Sequence, residues 1–350
     1  MNEQSIKTVQ ELFGRYYGGV GSFGIRSLEK RELAFTPFGK QGMVRHTSFQ
    51  SMPALIGYVR ENPPLHFYYS SAYYDSPDSN MDNKRWKGAD LIFDIDGDHI
   101  EGAERMRYSE MLSVVKEELI KLLNILTDDL SVSKNDLEVV FSGSRGYHVH
   151  VYSVFEKLES QERREIVDYI SGRCVSSEYR SSSRTRWDER ISNVKGELIQ
   201  VLESQDKKWK QKIEEESGES LGDIGKREFR NGEVLERVAR KIAIKRFSSR
   251  IDEPVSIDVH RLIRTPGSLH GKSGLLVKIV DFDSISQFDP IAEAIPDIFR
   301  DNLEVIFTKA VKSEFGEAET EYREGKAIIP TYAALFWVLR GAAEFQAIQK

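Results

Sequence analysis

Apolar and polar positions repeat along this chain with two periods. The apolar run "DLIFDI" at residues 90–95 reads as the clearest buried strand, with period two. It places Ile92, Asp94 and Asp96 on one face of a strand, with Phe93 and Ile95 on the other. Residues 104–127, "ERMRYSEMLSVVKEELIKLLNILT", repeat apolar side chains at helical spacing. "LEVVFSGSRGYHVHVYSVF" predicts a strand, a glycine-rich turn and a second strand, with His148 and His150 on one face of the latter. "LHFYYSSAYY", Leu65 to Tyr74, is aromatic and β-prone.

The pattern shifts after about Lys157, and up to about Arg246 it is charged and helical. A β-rich segment returns at "EPVSIDVHRLIRTPGSLHGKSGLLVKIVDF". The fold class expected is therefore α+β: a mixed α/β core over 1–157 and 247–325, interrupted by a mainly helical insertion at 158–246. The stretch 326–350 reads as a C-terminal helix started by Pro330 and Thr331.

Composition narrows the class. The chain has 350 residues, 39% hydrophobic and 30% charged, which suits a soluble globular protein of more than one domain. The net charge of −6 does not mark a nucleic-acid binder, yet residues 226–250 hold nine Lys or Arg against three Glu. A lone cysteine, Cys174, excludes an internal disulfide and a Cys-rich zinc knuckle. The start lacks the apolar core of a signal peptide, and the apolar run Ala333–Leu339 is too short to span a membrane. A reducing cytoplasm is the expected home.

Three stretches could carry chemistry. Asp94 and Asp96 place two carboxylates side by side next to a buried strand, which is costly unless something neutralises them. A divalent cation would, and a pair of such ions about 3.5–4 Å apart clamps both oxygens in phosphoryl transfer. Aspartates that merely cap a following turn would give the same letters. So would a phosphohydrolase of the haloacid-dehalogenase type, although Asp98 stands where that signature has threonine. In "FSGSRGYHVHV", Gly143 and Gly146 allow a turn whose N–H groups face an anion, with Ser142, Arg145 and His148 as further donors. His150 reads as structural. "DEPVSIDVHRLIRTPGSLHGKSG" offers Asp252, Asp258, Arg261, Arg264, Lys272, His260 and His270. Its "GSLHGKS" fails as a P-loop because Pro266 takes the first glycine's place and a strand follows. Together the acids, the turn and the later cations suit a nucleoside triphosphate.

These stretches, in this order, resemble the catalytic small subunit of the archaeal and eukaryotic-type DNA primase over roughly residues 25–280; "RELAF" and "YYSSAYY" support the match. The resemblance implies a primase-type catalytic core that makes short RNA primers on single-stranded DNA, with DNA synthesis also within reach. It implies that Asp94, Asp96 and Asp252 hold two metal ions, Mg2+ or Mn2+, with Asp258 as the fallback for the third carboxylate. It assigns Ser142, Arg145, His148, Arg264 and His270 to the nucleotide, and places Glu32 and Arg45 near the primer or nucleotide. The implied partners are an iron–sulfur large subunit in a heterodimer, the DNA template, the RNA primer and nucleoside triphosphates. The implied location is cytoplasmic and nucleoid-associated, without a membrane. Many relatives carry a Cys/His zinc site near the paired aspartates; this chain lacks the cysteines, so no structural zinc is expected.

Overall fold

The computed structural model describes residues 1–346 except 40, 177–184, 204–207, 223, 232 and 314–319. In chain order the strands of its core are β1 (Leu33–Thr36), β2 (Val44–Thr47), β3 (His66–Ser70), β4 (Ala72–Tyr74), β5 (Trp86–Ala89), β6 (Leu91–Asp96), β7 (Leu137–Phe141), β8 (Gly146–Val151), β9 (Leu262–Arg264) and β10 (Lys278–Val280). They form two four-stranded sheets, ordered β2-β1-β3-β9 and β10-β7-β8-β6, and a separate β4-β5 hairpin. Every pairing within them is antiparallel.

Register in the second sheet follows from the alternation. Asp94 pairs with His148 and Ile92 with His150, while Val140 lies across from His148 on the other side. One face of the sheet therefore carries Asp94, Asp96, Ser142, His148 and His150. The other face presents Phe93, Ile95, Phe141, Tyr147 and Val149, all buried in one apolar cluster. The helix Tyr108–Asn124 covers them with Met111, Leu112, Val115, Leu119 and Leu122, spaced three and four apart. Covered on both faces, β8 is buried along its whole length.

The first sheet packs with the helix Glu3–Gly19 and the later helix Thr331–Leu339, through Val9, Phe13, Phe67, Ile263 and Leu335. Where the sheets approach, the Tyr69 ring lies parallel to His150, centroids 6.2 Å apart. From Ser160 to Phe247 the described residues hold helices and no strand, with their own apolar cluster around Ile191, Leu198, Val238 and Ile242.

Two expected elements are redrawn. Of the stretch 326–350, only Thr331–Leu339 is helical; Gly325–Pro330 is a strand paired with Asn302–Phe307, and residues 347–350 lie outside the described ones. The helix begins where Pro330, unable to donate to a helical hydrogen bond, sits at the cap. The segment read as β-rich from Glu253 opens instead with the short helix Glu253–Ile257, because Pro254 in its first turn fixes a helical φ.

Candidate active site

β6 delivers Asp94 and Asp96 to one wall, and the β7–β8 turn brings Ser142 and Arg145 beside them. The turn depends on its glycines. Gly143 has φ +81°, and a Cβ there would meet the His270 Cβ at 2.8 Å. Gly146 crosses so close to β6 that a Cβ would lie 2.2 Å from the Ile95 carbonyl oxygen. The Ser142 N–H donates to the Gly146 carbonyl at 2.9 Å, and the Ser273 hydroxyl donates to the Gly143 carbonyl. The glycine turn and the basic turn after β9 are thus locked together.

The result is a cleft of about 700 Å3 lined by Asp94, Asp96, Ser142, Arg145, His148, Arg264 and His270. Asp252 does not line it but stands behind Asp94, its backbone N–H donating to the Asp94 carbonyl at 2.8 Å. Burial, then the charges of Asp96 and Asp252, pushes Asp94 up to about 7. Asp258 faces elsewhere: its carboxylate accepts from the His260 N–H at 2.8 Å, and its charge falls on Tyr74 and Arg163.

The cations oppose this acidic wall. Arg145 donates to Asp98 and lies 3.7 Å from Asp96 Oδ1. Arg264 Nη1 donates to His66 Nδ1 at 2.8 Å and to the Tyr68 hydroxyl at 3.1 Å. His148 Nε2 is 3.8 Å from Asp94 Oδ1, and its buried Nδ1 has no hydrogen-bond partner among the described residues. Burial holds His148 and His270 well below the ordinary imidazole range, so both are neutral. The Lys272 N–H donates to His270 Nδ1 at 3.1 Å, which leaves the proton on Nε2.

Glu32 and Arg45 pair with each other at 3.1 Å and do not line the cleft. Sequence reasoning left Tyr68, Asp98, Ser144 and Arg340 out of the site, although all four line it. The spacing along β3 could have flagged Tyr68; nothing local marks Arg340. In the basic run 226–250, Arg230, Arg237, Arg240, Lys241 and Arg246 each pair with a glutamate.

A family model described as DNA primase small subunit matches residues 93–282, a span that includes Asp94, Asp96, Arg145, Asp252, Arg264 and His270. The chain belongs to the DNA primase small subunit family. It is therefore a nucleotidyltransferase of DNA replication, the catalytic subunit of a primase. The DNA primase small subunit PriS of Thermoplasma volcanium is 37% identical over 350 residues, covering 99% of this chain and 98% of its own. That of Picrophilus torridus is 37% identical over 338 residues, covering 88% of this chain and 90% of its own. That of Methanococcoides burtonii is 37% identical over 385 residues, covering 96% and 97%. Among solved structures, the polymerase domain of Mycobacterium tuberculosis ligase D in complex with DNA covers 83% of this chain and 88% of its own. Its TM-score of 0.40 at 11% identity is too distant to bear on the site. Family membership sets the phosphohydrolase alternative aside. No helix among the described residues is long and apolar enough to cross a membrane.

Proposed function

We propose that this chain makes short RNA primers from ribonucleoside triphosphates on single-stranded DNA, with deoxynucleotides also within reach, and that Asp94, Asp96 and Asp252 hold two divalent ions, Mg2+ or Mn2+. One observation carries this reading: burial, and then the neighbouring carboxylates of Asp96 and Asp252, push Asp94 up to about 7, facing a wall of cations across one cleft. An all-oxygen donor set suits these metals, and a divalent charge would relieve the repulsion among the acids. Among the described residues no three ligating side chains yet close around a common point. When bound, the ions would lower the pKa of the attacking 3′-hydroxyl and neutralise the triphosphate.

The chain's own groups do the rest. His270 presents its Nε2–H to a phosphate oxygen without charge. Arg264 is steadied by Tyr68 and His66 and offers its remaining N–H groups. Arg145 exchanges Asp98 for phosphate, a shift between two anions that costs little at a half-exposed site. Ser142 and His148 complete the nucleotide contacts. We take residues 1–157 and 247–325 as the discontinuous catalytic core, with 158–246 inserted. The expected partner is a large subunit carrying an iron–sulfur cluster, and the expected location is the nucleoid.

The test is primer synthesis on unprimed single-stranded DNA with labelled nucleotides and Mg2+ or Mn2+, with and without the large subunit. Asp94→Ala and Asp96→Ala should abolish metal-dependent short products while leaving the fold intact by circular dichroism. Wild-type yield from either variant would sink the metal assignment.

A further inference from the structure

Arg340 follows the helix Thr331–Leu339 and reaches the cleft from a part of the chain that none of the motifs includes. Its guanidinium lies 3.8 Å over the Phe336 ring and 5.2 Å from that of Tyr108. It stands where the cleft meets a second cavity of about 580 Å3, so both of its sides adjoin open space. Its charge falls on Arg145 and on His270. Among the described residues no ion pair or hydrogen bond engages it. Loss of solvent around the guanidinium lowers its pKa from the usual arginine value, Tyr108 raises it in part, and Arg145 lowers it. Arg340 is solvent-exposed at the mouth of the cleft, beside the cation Arg145 and the neutral His270, and no carboxylate among the described residues claims it. With an anion between them it is a complete site.

We propose that Arg340 binds the terminal phosphates of the nucleoside triphosphate, extending the cation wall of Arg145 and His270. The inference rests on the nucleotide-binding reading of the cleft. Phosphate from the substrate is favoured over phosphate from the template because the two groups that feel Arg340 are the ones assigned to the triphosphate. Stacking on Phe336 and Tyr108 fixes the plane of the fork before the ligand arrives, which limits the entropy lost on binding. The bland role is closure of the helix C-terminus, where any cation interacts favourably with the dipole.

The experiment measures binding of a fluorescent ATP analogue with Mg2+, alongside affinity for a single-stranded oligonucleotide and the thermal midpoint. Arg340→Met, which keeps the stem over Phe336, should weaken nucleotide binding by about tenfold, the scale of one charge-assisted hydrogen bond. Arg340→Lys should recover most of the loss, and oligonucleotide affinity and thermal midpoint should hold. If Met lowers the midpoint, Arg340→Gln gives the same comparison. Unchanged nucleotide affinity in Arg340→Met beside weakened affinity in Arg145→Ala overturns this inference alone. A loss confined to the oligonucleotide assigns Arg340 to the template and overturns it too. Wild-type protein that binds no nucleotide overturns the reading of the cleft itself.

Discussion

At Gly143 the backbone is left-handed, with φ +81°, and His270 fills the space where a side chain would go. Gly143→Ala thus faces two penalties: about 1–2 kcal/mol for a non-glycine residue in this region, and displacement of the imidazole. The expected outcome is a lower urea midpoint together with a raised KM for nucleotide. A variant that loses stability but keeps its KM would mean the contact does not position His270. Arg145→Ala and His270→Ala should weaken nucleotide binding while sparing the fold, since neither supports an apolar cluster. Sequence alone marked these glycines as turn formers. It could not say that Gly143 packs on His270, because the two are brought together by a crossing of separate turns.

A buried ion pair joins elements around the cleft. Arg31, just before β1, donates to Asp90 Oδ2 at 2.5 Å, and both side chains are fully buried. The same guanidinium donates to the carbonyls of Ser70 at 3.0 Å and Ser71 at 2.5 Å, and lies 3.6 Å over the Tyr73 ring. Asp90 sits between β5 and β6 and also accepts from the Tyr73 hydroxyl at 2.6 Å. The pair ties the ends of β1, β3 and β6, and so the two sheets, to each other. Asp90→Ala would leave Arg31 charged and unpaired in the interior, at a cost of about 3–5 kcal/mol in urea unfolding. A cost near zero would show that the carbonyls alone satisfy the guanidinium. The helix Glu233–Phe247 makes the opposite point about charge: its cations read as a basic patch, yet Glu216 and Glu219, on a separate stretch, claim Arg246, Arg237 and Lys241.

On the scale of the whole molecule, buried neutral histidines set a pH limit. Burial lowers His66 and His150 to about 3. In the unfolded chain an imidazole takes its proton near pH 6.5, so between about 6.5 and 3 the unfolded state binds more protons. Stability is therefore full above about pH 6.5 and falls as the pH drops toward 3, by about 1.4 kcal/mol per pH unit for each such histidine. His150→Phe, which keeps the ring between Tyr69 and Tyr152, should flatten this slope in urea midpoints taken from pH 7 to pH 4. An unchanged slope would mean that His150 is already protonated in the fold.

The sequence by itself determined the local periods: the alternation that aims Asp94 and Asp96 to one face, the heavily apolar face of Tyr108–Asn124, the glycine turn, and the helix started at Thr331. These are settled by neighbours a few residues apart, through pleat, helical repeat and the restricted φ of proline and glycine. Its three ordered motifs also carried the family. Tertiary structure alone decided which distant groups meet. It set Asp252 rather than Asp258 behind Asp94, paired several cations of the basic run 226–250 with glutamates, and turned Arg340 into the cleft. Electrostatics and close packing act across space, and chain order does not record which segments the folded sheets and helices bring within a few ångströms.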